Sequence, residues 1–156
     1  MKGPKALVIG IGNEFRGDDA FGLCVVREVQ QLHLPGIEVV EHHGEGASLM
    51  ELWKGHQIVM IVDAVKSGVA PGTLYRLDAS QGRIPANILT QSSHEFGVVQ
   101  AIETARALGT LPPLLILFGA EAAQFELGGG MSPQVEEHVH VVSFKIVEEL
   151  RAMGLL

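Results

Sequence analysis

The chain has 156 residues, 47% of them hydrophobic, and a mean hydropathy of +0.27, enough for one domain that buries roughly 70% of its unfolded surface. A formal net charge of −7 excludes nucleic acid and anionic membranes as partners, because their phosphates would be repelled. The single cysteine, Cys24, excludes an internal disulfide and a thiolate zinc cage.

Met1–Lys5 leads directly into a strand without the apolar region of a signal peptide, and no apolar run approaches the roughly 20 residues of a membrane span, so a cytoplasmic protein is expected. Ala6–Gly10 is short, apolar and β-branched, and reads as the first strand. The polar loop Asn13–Asp18 follows, with Asp18 as the expected N-cap of a helix that starts at Asp19 and repeats Phe21, Val25, Val29 and Leu32. Cys24 falls in this helix and reads as a small buried hydrophobe. Pro35-Gly36 turns the chain into a second strand, Ile37–Glu41, and Gly44-Glu45-Gly46 opens a short helix with Leu49, Leu52 and Trp53. Gln57–Val62 is nearly continuous in apolar residues, as suits a strand covered on both faces, and ends on Asp63.

Gly72–Leu77 reads as a fourth strand toward an edge, followed by a long connection, Asp78–Ser93. A helix is expected from about Glu95 to Leu108, then a fifth strand, Leu114–Phe118, and an irregular stretch, Ala120–Gly130. Ser132-Pro133, an N-cap with proline at the first helical position, starts a last helix reaching about Met153. Strands alternate with helices and no linker or repeat intervenes. The expected fold is α/β: a single three-layer α/β/α domain over residues 1–156, with a mostly parallel, twisted five-stranded sheet and helices on both faces.

Gly10-Ile11-Gly12 after the first strand suggests a dinucleotide fingerprint, but Phe15 stands where the third glycine is needed. No Lys-Ser/Thr pair follows, so a Walker-type phosphate loop is excluded. The acids are more informative. Asp19 follows the first strand and Asp63 ends the third; in parallel strands both lie on the carboxyl rim, where open α/β sheets bind ligands. A carboxylate at the end of a core strand is costly unless it is solvated, paired or bound to a cation.

Among the seven histidines, His138 and His140 read as ordinary helix-surface residues, and His33 and His56 as residues near helix ends. His42-His43 stand on the expected rim. His94 is the best nitrogen candidate: the sixteen-residue connection before it spans roughly 50 Å when extended and returns to the rim from any edge strand. Two carboxylates and an imidazole suit an open zinc or nickel site. Residue types alone leave His94 open between this role and a helix-entry histidine bonded to backbone.

Gly10-Ile11-Gly12-Asn13 with Asp18-Asp19-Ala20-Phe21-Gly22 resembles the opening signature of the hydrogenase maturation endopeptidases. The resemblance continues through Ile61-Val62-Asp63-Ala64, Ser93-His94-Glu95-Phe96-Gly97, Phe118-Gly119-Ala120-Glu121 and Gly130-Met131-Ser132-Pro133. These matches keep their order over nearly the whole chain. The resemblance implies a catalytic, metal-binding set of Asp19, Asp63 and His94. It implies removal of the C-terminal extension of a nickel–iron hydrogenase large-subunit precursor after nickel insertion. That precursor would be the partner and would supply the nickel; zinc or another divalent ion is the alternative cofactor. The loop His42-His43-Gly44-Glu45-Gly46 departs from the Asp-Gly-Gly-type turn of relatives, which marks His42, His43, Gly44 and Glu45 as substrate-binding residues. Rival readings are a zinc hydrolase acting on another peptide or small substrate, and a non-catalytic chaperone that binds the nickel-loaded precursor.

Overall fold

A computed structural model describes residues 3–90 and 95–156. In chain order it contains β1 (Ala6–Ile11), a 3-10 turn (Gly17–Ala20), α1 (Phe21–Gln31), β2 (Ile37–His42), α2 (Gly46–Trp53) and β3 (Ile58–Lys66). There follow β4 (Leu74–Asp78), β5 (Leu89–Thr90), α3 (Val98–Leu108), β6 (Leu114–Glu121), α4 (Pro133–Glu136) and α5 (Val139–Ala152).

The sheet runs β2-β1-β3-β6-β4, with the two-residue β5 paired separately to β3. β2, β1, β3 and β6 are mutually parallel, while β4 closes the edge antiparallel to β6. This is the expected mostly parallel five-stranded sheet, with β5 as an addition at Val65 and Lys66.

Alternation along the strands divides the core in two. Val8, Met60, Val62, Ile116 and Phe118 pack against α1 and α5 through Phe21, Val25, Val26, Val142 and Ile146. Leu7, Ile9, Ile11, Val59, Ile61 and Leu117 pack against α2 and α3 through Leu49, Trp53, Val98 and Ile102. Helices therefore cover both faces, as β-branched and aliphatic residues at nearly every strand position require.

The strand order makes a switch point. From β1 the chain crosses by α1 to β2 on one side, then returns by α2 to β3 on the other side of β1. Right-handed crossovers in opposite directions put α1 and α2 on opposite faces and open a crevice at the carboxyl ends of β1 and β3.

Four expectations change in detail. β3 does not stop at Asp63 but continues to Lys66, because β6 stays in register with it as far as Val65 opposite Glu121. β6 likewise reaches Glu121. The third helix begins at Val98, after Gly97, rather than near Glu95. The last helix is two pieces separated at Glu137-His138; its first turn is steered by a tether on Ser132 and by Val135 in the core. Cys24 is half-buried against the α1–α5 core, and burial pushes its thiol up, as befits a packing residue.

Candidate active site

Both acids sit at the switch point. Ile11 ends β1 one position past the Gly10–Val62 pair, so Asp63 is level with the end of β1 and directly opposite Gly119 of β6. Asp63 shares strand parity with Val59, Ile61 and Val65, which places its side chain on the α2–α3 face.

The chain reaches Asp19 through a tight return. The backbone of Asp19 lies directly over Gly12, whose φ is +151°; a Cβ there would run into the Asp19 carbonyl. Gly22, at the start of α1, is pressed so closely on the carbonyls of Ile11 and Val62 that no side chain fits. These contacts, rather than a phosphate, account for the glycine-rich start. They bring the first turn of α1 down onto the ends of β1 and β3.

The two carboxylates are buried rather than solvated. Asp63 is fully buried, and neither of its side-chain oxygens finds a hydrogen-bond partner among the described residues. Burial, then the charge of Asp19, pushes its carboxyl well above the usual range, against a smaller lowering from the Ala64 backbone N–H. Asp19 is 5% exposed, and its buried Oδ1 likewise has no hydrogen-bond partner among the described residues. Its carboxyl is pushed up to about 6, chiefly by burial, against the opposing effects of the Arg16 charge and the Asn13 backbone N–H. Burial and mutual repulsion favour the protonated form of both carboxyls, and a cation bound between such groups displaces their protons.

His94 lies outside the described residues. His42 ends β2; its Nδ1 accepts the Gly44 N–H at 2.9 Å and its Nε2 lies 2.8 Å from Ser48 Oγ. The His42 and His43 rings stack, with centroids 4.7 Å apart and 11° between planes. Glu45 is the N-cap of α2 and accepts from the Ala47 and Ser48 backbone N–H groups. The buried Gly44, with φ +95°, makes the bend between them. Asn13, Phe15, Leu23, Arg27, His42 and His43 border a shallow depression of about 370 Å³ that Gly12 links to the acids. Beyond this loop, Gly46 N–H donates to the Phe96 carbonyl at 2.8 Å, joining the α2 start to the segment before α3.

Two buried acids have roles that the sequence reading did not assign. Asp18 caps no helix. Its carboxylate, fully buried, accepts hydrogen bonds from the loop after β6. Glu121, 2% exposed at the end of β6, accepts from Ser67 N–H, Ser67 Oγ, Gly68 N–H and Tyr75 Oη. It thereby holds the turn between β3 and β4. The signal for Glu121 was present as an acid closing the apolar run Leu114–Ala120.

The chain matches known proteins in sequence and in fold. The model of the HycI hydrogenase maturation protease family matches residues 23–149. The chain is 29% identical to the hydrogenase expression/formation protein HupD of Rhodobacter capsulatus, over 99% of this chain and 75% of that protein. It is 28% identical to the hydrogenase 2 maturation protease of Escherichia coli, over 97% and 93%. The solved structure of the E. coli hydrogenase maturating endopeptidase HybD superposes with a TM-score of 0.78 at 25% identity, over 96% of this chain and 93% of that one. The chain belongs to the hydrogenase maturation protease family. It is an endopeptidase of the hydrolase class, as the resemblance implied.

Proposed function

We propose that this chain removes the C-terminal extension from the large-subunit precursor of a nickel–iron hydrogenase after nickel has been inserted. In this reading Asp19, Asp63 and His94 meet the nickel that the precursor carries. The observation that carries it is Asp63: a fully buried carboxylate whose oxygens find no hydrogen-bond partner among the described residues, beside a second buried acid. Such a pair is unfavourable in the protein alone and is relieved by a cation. Carboxylates and imidazole suit nickel or zinc, and the closed α/β frame holds the acids in place before substrate arrives. Because the nickel belongs to the substrate, it acts as recognition signal and as Lewis acid at the scissile peptide. His42 and His43 border the depression beside the acids, and with the adjoining Gly44 and Glu45 they contact the precursor chain. No described helix is long and apolar enough to cross a membrane, and a cytoplasmic place of action belongs to the same proposal.

The test is incubation of the purified chain with nickel-loaded and nickel-free precursor. Shortening of the loaded form alone is expected. An unshortened loaded precursor overturns the protease reading and favours a chaperone. Elemental analysis of the chain purified without added metal addresses the zinc alternative: stoichiometric zinc would move the metal from substrate to enzyme.

A further inference from the structure

Asp18 precedes Asp19 in the 3-10 turn, and its carboxylate is fully buried without a cationic partner among the described residues. Its charge is spread over four donors from one distant segment. Oδ2 accepts from Ala123 N–H at 2.7 Å, Gln124 N–H at 3.1 Å and Ser132 Oγ at 2.9 Å, and Oδ1 accepts from Ser132 N–H at 2.6 Å. The Asp18 backbone N–H donates in turn to the Gln124 carbonyl at 3.0 Å. Ser132 stands at the N-cap of α4 but makes no side-chain cap; its hydroxyl is directed to Asp18 instead.

The path closes on itself. Asp63 lies on β3, β3 is in register with β6, the segment after β6 carries Ala123, Gln124 and Ser132, and these hold Asp18, one residue from Asp19. The separation of the two acids is therefore fixed through β6 as well as through β1. Hydrogen bonds to a charged group are about twice as strong as neutral ones, so this link is stiff.

We propose that Asp18 is a positioning residue for the protease reaction: it sets Asp19 against Asp63 by bolting the 3-10 turn to the segment that leaves β6. The proposal rests on the functional reading given above. The experiment compares Asp18→Asn and Ser132→Ala with the wild type, and with Ile146→Val, a remote core truncation on α5. Thermal unfolding, kcat and KM on nickel-loaded precursor, and hydrogen exchange of the metal-free chain are measured.

The expected result for Asp18→Asn is cooperative unfolding with kcat lowered about tenfold or more, since small misplacements of reacting groups are expensive, and KM little changed. Ser132→Ala shifts kcat the same way by less, while Ile146→Val lowers stability without touching kcat. Exchange at the Asp19 amide speeds up in both site variants, while β3 amides around Asp63 stay protected. Folded Asp18→Asn or Ser132→Ala protein with wild-type kcat and unchanged exchange at Asp19 overturns the proposal. If Asp18→Asn fails to fold, Ser132→Ala decides. If the wild type leaves the precursor uncut, the functional reading fails on its own, and the exchange measurement still judges the bolt.

Discussion

Replacing Asp19 by asparagine should stabilise the folded chain at pH 7 while abolishing processing. A carboxyl that ionises near 6 instead of 3.8 makes its charged form costlier in the folded chain by about 3 kcal/mol. Relaxation of the folded site around the charge relieves part of this, leaving about 2 kcal/mol. The asparagine amide introduces N–H groups with poor prospects of a partner, which cost about 1 kcal/mol. A net gain of about 1 kcal/mol raises Tm by about 2–4 °C at this chain length.

The sign follows from proton uptake. As pH falls from 7, folded Asp19 binds its proton near 6, while the unfolded carboxyl waits until near 3.8. Between these values the folded state holds more protons, so the wild type gains stability toward acid and the variant does not. The advantage of Asp19→Asn should therefore be largest at pH 7 and disappear by about pH 4, leaving only the cost of the amide. Removing the Asp19 charge also eases Asp63, whose carboxyl it helps to raise, so the two effects have the same sign. Differential scanning calorimetry of both proteins between pH 4 and 8 checks this. A lower Tm for the variant at pH 7, or a Tm difference independent of pH, would refute the electrostatic reasoning.

Three further outcomes are expected. Gly22→Ala drives a methyl into the carbonyls of Ile11 and Val62; overpacking of this kind costs about 1–3 kcal/mol, seen as a lower urea midpoint with unchanged slope. Glu121→Ala leaves Ser67 N–H and Gly68 N–H without their acceptor, a loss of about 3 kcal/mol in chemical denaturation at pH 7. Burial pushes the Glu121 carboxyl up, but the bonds from Ser67, Gly68 and Tyr75 outweigh it and hold it below the usual range. Its contribution is thus present above the ordinary glutamate value and fades in acid, so the penalty should shrink as pH falls. His42→Ala removes the acceptor for Gly44 N–H and loosens the loop beside the acids; KM for precursor should rise several-fold with kcat nearly unchanged, and a fall in kcat alone would place His42 in the chemistry instead.

Much of the fold was legible because its cues are local. Apolar runs such as Ile58–Val62, the turn at Pro35-Gly36 and the proline after Ser132 specify elements through short-range periodicity and backbone restriction. Asp19 and Asp63 were placed on one rim by their position after two strands, and the ordered motifs of the chain named its family. Tertiary structure decided the rest. An acid inside a strand reads as a terminator, so only the long register of β3 with β6 shows Asp63 lying within the sheet, fully buried and without a hydrogen-bond partner among the described residues. Asp18 beside a helix start reads as a cap, because its true donors at Ala123, Gln124 and Ser132 are more than a hundred residues away. Gly12 follows a strand and Gly22 falls in a helix, and only the packing of Asp19 and Val62 against them shows that their missing side chains make room for the site. Burial, register and close approach are set by partners distant in sequence, so the chain itself names the residues and the fold determines what each one meets.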